Sequence, residues 1–96
     1  MELASRAAFD QFAVRTRNST YEIVVLQPST GEVLVRGGRF FPEYTRAYVA
    51  GCSLGGAFLK LRSIYRGFLI ELQCDGRTII TTRVQSIVPV ASGVVH

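Results

Sequence analysis

The sharpest chemical pattern in the chain is Gly51-Cys52-Ser53-Leu54-Gly55, which satisfies G-x-S-x-G. Around a nucleophilic serine, such glycines permit a strained strand-to-helix turn that lifts the hydroxyl out of a sheet, with an acid and a histidine following later in the chain. Asp75 and His96 follow here in that order. Three features oppose a working triad. The parallel sheet and covering helices that display such a serine need about twice this length. His96 is the sole histidine and the last residue given, and chain ends are seldom held firmly enough to position a base. The stretch after the serine, Phe58–Ile64, alternates with period two rather than with the helical period. A glycine-relieved turn between antiparallel strands accounts for the string, and serine hydrolase chemistry is the discounted reading.

Other chemistry is sparser. The carboxylates Glu22, Glu32, Glu43, Glu71 and Asp75 are scattered, without the pairing that acid–base catalysis uses. Neither glycine pair leads into Lys-Ser/Thr, so no phosphate loop is present. One histidine and two cysteines 22 positions apart, Cys52 and Cys74, make no metal set. Neither a cofactor nor a metal is expected. Arg66-Gly67-Phe68 matches the opening of an RNA-binding string, but Glu71 falls where that string needs an apolar residue, so a glycine turn opening a strand explains it. Asn18-Ser19-Thr20 fits a glycosylation sequon and is read as a polar turn.

The remaining pattern is arginine among aromatics. Eleven basic residues oppose seven acidic ones, for a net charge of +4, and only Lys60 among the eleven is not arginine. Arginine's planar fork suits phosphate, carboxylate and aromatic faces. Arg15 and Arg17 share one face of a strand, Lys60 and Arg62 one face of another, and Arg36, Arg39 and Arg46 flank Phe40, Phe41, Tyr44 and Tyr48. Cations with stacking platforms on a sheet hold single-stranded nucleic acid. The plainer account is that Phe40, Phe41 and Tyr44 pin a loop onto the core while the arginines solvate the surface.

The elements that must carry these residues are short strands separated by turn signals. Strands are expected at Gln11–Arg17, Tyr21–Leu26, Val33–Arg36, Tyr48–Gly51, Phe58–Ile64, Phe68–Cys74 and Arg77–Thr82, with a closing edge strand at Val88–Val90. Phe12, Val14 and Thr16 share one face of the first, Tyr21, Ile23 and Val25 one face of the second. Arg39–Arg46 is expected as an irregular loop with an apolar burden. Asp75-Gly76 is the strongest hairpin signal, since both residues tolerate the positive φ of a type I′ turn. Thr82–Ile87 is expected as one turn of 3-10 helix with Val84 and Ile87 tucked under it. An Asp-Gly hairpin, a polar turn and a short last strand over residues 58–90 resemble the ending of SH3-like and Sm-like small barrels, a likeness of layout that carries no function.

The expected fold is therefore all-β, a small antiparallel barrel or tight sandwich of five to seven short strands. An α+β chain with one short helix near Ala57–Ser63 is the alternative. Residues 1–8 are expected to be a flexible segment, 9–92 a single domain and 93–96 a flexible tail. At 48% hydrophobic and 19% charged the chain is not disordered, and no apolar run approaches a membrane span. The start has no secretory pattern, so a cytoplasmic protein with two free thiols is expected. The function expected is non-catalytic binding or assembly. A second copy or another protein would meet sheet edges and Phe40, Phe41 and Tyr44. The alternative partner is RNA or single-stranded DNA on Arg15, Arg17, Arg39, Arg46, Lys60 and Arg62.

Overall fold

The computed structural model describes residues 1–55 and 59–90. After a single 3-10 turn at Leu3–Ser5 come seven strands: β1 (Gln11–Thr16), β2 (Thr20–Gln27), β3 (Glu32–Gly37), β4 (Phe41–Ser53), β5 (Leu59–Leu61), β6 (Leu69–Cys74) and β7 (Arg77–Val90). Six of them, β1-β2-β3-β4-β6-β7, pair each with the next and β7 pairs back with β1, always antiparallel. β5 lies outside this ring, paired with the end of β4. The fold is thus an all-β antiparallel closed barrel, and closure removes most of the sheet edges a small β domain would otherwise expose.

Alternation drives the closure. Phe12, Val14 and Thr16 on β1, Tyr21, Ile23 and Val25 on β2, Val33 and Val35 on β3, and Ile70 and Leu72 on β6 all point inward and are buried. Residues 39–46 are not the expected loop. From Phe41 onward they form the first half of β4, with Tyr44, Arg46 and Tyr48 outward and Ala47 and Val49 inward. Pro42 is tolerated because β4 has β3 on one side there and no strand on the other.

Residues 82–87 are not a 3-10 turn either. β7 runs unbroken from Arg77 to Val90. Its pairing slips by one residue opposite Leu69/Glu71 and again opposite Arg15/Thr16. Each bulge moves the inward set along by one residue, so Ile79 and Thr81 are followed inward by Val84 and then by the partly buried Ile87. That three-residue spacing imitates a helical turn.

Within the segment 1–8, residues 1–3 pair with residues 62–64 of the barrel. Leu3 N–H donates to Arg62 C=O (3.0 Å) and Ile64 N–H to Met1 C=O (2.9 Å). Leu3 and Ile64 are fully buried in the core cluster. Phe58–Ile64 contributes strand only at Leu59–Leu61, and Leu61 is exposed. The alternative helix near Ala57–Ser63 is thereby excluded at 59–61, while its first residues lie outside the described ones. So do Phe58 and the tail 93–96. Among the described residues no helix is long and apolar enough to cross a membrane.

Candidate functional site

Ring closure is staggered, so the long strands overhang their neighbours. β7 pairs with β6 along Arg77–Arg83 and with β1 only from Val84 onward. Above the end of β1, no strand lies beside residues 77–82 of β7 on that side. The space is bordered by the β1–β2 turn and by the tip of the β3–β4 hairpin. Together they form a groove of about 380 Å³ lined by Asn18, Ser19, Tyr21, Arg39, Phe40, Ile80, Thr81 and Thr82.

The sequence builds each wall for a local reason. The hairpin tip closes down because Gly38 stands at φ +63, where a Cβ would meet the Tyr21 ring at 2.8 Å. The tip therefore rests on Tyr21 and presents Arg39 and Phe40 outward. The floor is locked by threonines. Asn18 N–H donates to Thr82 Oγ1 (3.2 Å), and Thr82 Oγ1 donates to Thr16 Oγ1 (2.9 Å). Thr16 Oγ1 in turn donates to Ser19 C=O (3.1 Å). Thr81 Oγ1 accepts from Ile70 N–H (3.0 Å) at the β7 bulge. Phe40 and Ile80, 54% and 55% exposed, are the apolar anchors of the groove.

Backbone chemistry completes it. Asp75 and Gly76 both have positive φ and join Cys74 to Arg77 by a two-residue turn, as the sequence predicts. Such a turn makes Cys74–Arg77 a hydrogen-bonded pair, and pairs alternate along an antiparallel ladder. Thr78 and Ile80 therefore direct their N–H and C=O groups away from β6, toward the groove side.

The arginines separate into two populations. On the outer face of β2, β3 and β4, Arg36 grips Glu22 with Nη2 at 2.7 and 2.9 Å and lies 4.4 Å over the Tyr44 ring. Tyr44 OH also donates to Glu22 (3.2 Å), and Arg46 is paired with Glu32. The Arg36 hydrogen bond holds the Glu22 carboxyl below its usual range. Around the groove, by contrast, Arg15, Arg17 and Arg39 are exposed with no carboxylate within 4 Å among the described residues.

The residues expected to act together are therefore divided. Arg39 lines the groove, and Arg15 and Arg17 line an adjoining hollow that shares Asn18 and Ser19 with it. Arg46 is neutralised by Glu32. Lys60 and Arg62 lie by β5 at the opposite end of the barrel, with the Lys60 ammonium 5.6 Å from the Tyr65 ring. Of the apolar set, Phe40 is displayed, Phe41 is 1% exposed and belongs to the core, and Tyr44 sits beneath Arg36. Ile80 and the threonine floor were missed. The signal for Ile80 was the doublet Ile79-Ile80, since adjacent strand residues cannot both face inward.

Ser53 is buried at the end of β4, and its hydroxyl donates to Glu71 Oε2 (3.0 Å) and accepts from Gly55 N–H (3.3 Å). Gly51 lies within β4 rather than in a turn. Ser53 pairs with Leu69, six residues along β6 from Asp75, so serine and acid stand about 20 Å apart. His96 lies outside the described residues. Cys52 faces Ile70, four residues from Cys74, or about 13 Å along β6. That is beyond disulfide reach, and both thiols are free. Among the described residues no three His, Cys, Asp or Glu side chains cluster as metal ligands. Comparison with protein-family models, with curated proteins and with solved structures finds no match to this chain.

Proposed function

We propose that this barrel is a non-catalytic docking module that takes an extended segment of a protein partner as an added strand beside the upper part of β7. One observation carries the reading: the overhang of β7 past β1, along which Thr78 and Ile80 turn their backbone groups outward, with the exposed side chains of Phe40 and Ile80 in the groove at its lower part. Strand addition works in this way, with main-chain hydrogen bonds giving affinity and flanking pockets giving specificity. Other unpaired stretches carry protection. Pro42 interrupts the open side of β4, Pro89 the lower part of β7, and Lys60 sits on β5. Between Thr78 and Thr82 there is no proline and no charge. A second copy of the chain is one source of such a strand. The two free thiols accord with a reducing, cytoplasmic setting.

Single-stranded nucleic acid is less well served. Its binding uses successive stacking platforms, and the groove offers one exposed aromatic ring, Phe40. Nor would nucleic acid satisfy a strand edge.

The test is a random peptide library displayed on phage and panned against the protein. The expected result is a set of peptides that slow amide hydrogen exchange at Thr78 and Ile80 on binding. Ile80→Pro should abolish their binding while keeping the melting temperature within a few degrees, because its N–H lies outside the ladder. Peptides that protect other amides, or no enrichment at all, would overturn the reading. Mass in solution over a range of concentrations separates a second copy from a foreign partner. A dimer that protects the same two amides identifies the chain itself as the occupant.

A further inference from the structure

We infer that the strand taken up beside β7 belongs to an acidic partner, with carboxylates flanking apolar residues; this inference rests on the docking reading above. The argument is one of charge placement. The chain carries seven acidic residues, and none of them lines the groove. Four are engaged elsewhere. Glu22 holds Arg36 and Glu32 holds Arg46. Asp10 accepts from Ala7 N–H (3.0 Å), and Glu71 accepts from Ser53. The groove meanwhile holds Arg39 on its hairpin wall. A second hollow, lined by Arg15 and Arg17, shares Asn18 and Ser19 with it. Three exposed guanidinium groups without carboxylate partners thus border one end of the open β7 edge. Two apolar side chains, Phe40 and Ile80, lie within it.

A strand laid along that edge meets both features. Its side chains alternate between faces, so one set meets Ile80 and Phe40 while its ends and outward positions meet Arg39, Arg17 and Arg15. Guanidinium binds carboxylate through paired N–H donors. Rim charges of this kind speed encounter and discriminate against basic partners. A lysine-rich strand would be repelled here, and a neutral one would forgo the steering.

The experiment reads the composition of the peptides recovered by the panning, together with three synthetic ten-residue peptides. These alternate valine with glutamate, with glutamine, or with lysine. Binding is followed by fluorescence anisotropy at low and moderate salt. The expected order of affinity is glutamate over glutamine over lysine. Raising the salt should weaken the glutamate peptide and leave the glutamine peptide unchanged. Arg15→Gln and Arg17→Gln should each weaken the glutamate peptide about two- to fivefold, the range for exposed ion pairs, and leave the glutamine peptide unaffected. Equal, salt-insensitive binding of the glutamate and glutamine peptides, with neutral sequences from the library, would overturn the acidic inference and leave strand docking standing. Failure of every peptide would overturn both. Tight, steeply salt-dependent binding of an oligothymidine in place of all peptides would overturn both in favour of nucleic acid.

Discussion

Gly76 stands at φ +73 with no heavy atom within 4 Å of where its Cβ would be, so its role is conformational alone. A β-branched side chain resists this region of φ, whereas asparagine enters it readily. Gly76→Val is therefore expected to destabilise the fold by ~1–3 kcal/mol, the usual cost of a strained backbone position. Gly76→Asn should be close to neutral. Thermal unfolding of both variants checks this, and equal melting temperatures for the two would show that φ at this position is not the constraint. This residue was legible because its chemistry is local: Asp-Gly between two strands admits few turns. Phe40 and Phe41 were not separable by the same means. They are neighbours of one type, and only the point at which β4 begins decides that one enters the core and the other is displayed.

At the scale of elements, pairing across strands decides what a charged residue does. Arg36 and Arg46 look like binding groups in sequence because their carboxylate partners are 14 residues away, across the turn between strands. Glu22–Arg36 and Glu32–Arg46 become neighbours only through the β2–β3 and β3–β4 registers. Four ring strands, β1, β2, β3 and β6, were legible from alternation; the first half of β4 was read as a loop, and β7 was read as broken because its two bulges are set by the register of the neighbours rather than by the strand's own residues. The Glu22 pair has a testable pH signature. Arg36 depresses the folded-state carboxyl below its ordinary value. Its contribution to stability is therefore present in full above the ordinary carboxylate range and is lost as pH falls through the depressed value. Melting temperatures of the wild type and Glu22→Gln should differ by a constant amount at neutral pH and converge in acid. The difference will be small, because both partners are about half exposed and screened by solvent. A gap that persists unchanged to low pH would show that the variant acts through something other than the ion pair.

For the molecule as a whole, a barrel of six ring strands leaves two ends to be closed. Phe41, at the start of β4, is buried toward the end that carries the groove, and Leu3 and Ile64 fill the core toward the other. Little in the order of residues announces the second closure. Leu3 precedes the first strand by eight residues, in a stretch without periodicity, and its partner Ile64 follows a three-residue strand. Both are fixed by tertiary contact, through the short antiparallel pairing of residues 1–3 with 62–64. Removing the Leu3 side chain should therefore behave as a core truncation and not as a change in a loose end. Leu3→Ala is expected to cost ~2–5 kcal/mol, the range for a buried leucine whose cavity cannot fully collapse. The loss should appear in denaturant as a lower midpoint with an unchanged slope, since the barrel still unfolds as one unit. The groove lies at the opposite end, so peptide affinity measured under conditions where the variant is folded should be unaltered. A Leu3→Ala protein with wild-type stability would mean that residues 1–3 add nothing to the barrel, which would then have to be stable with that end uncovered.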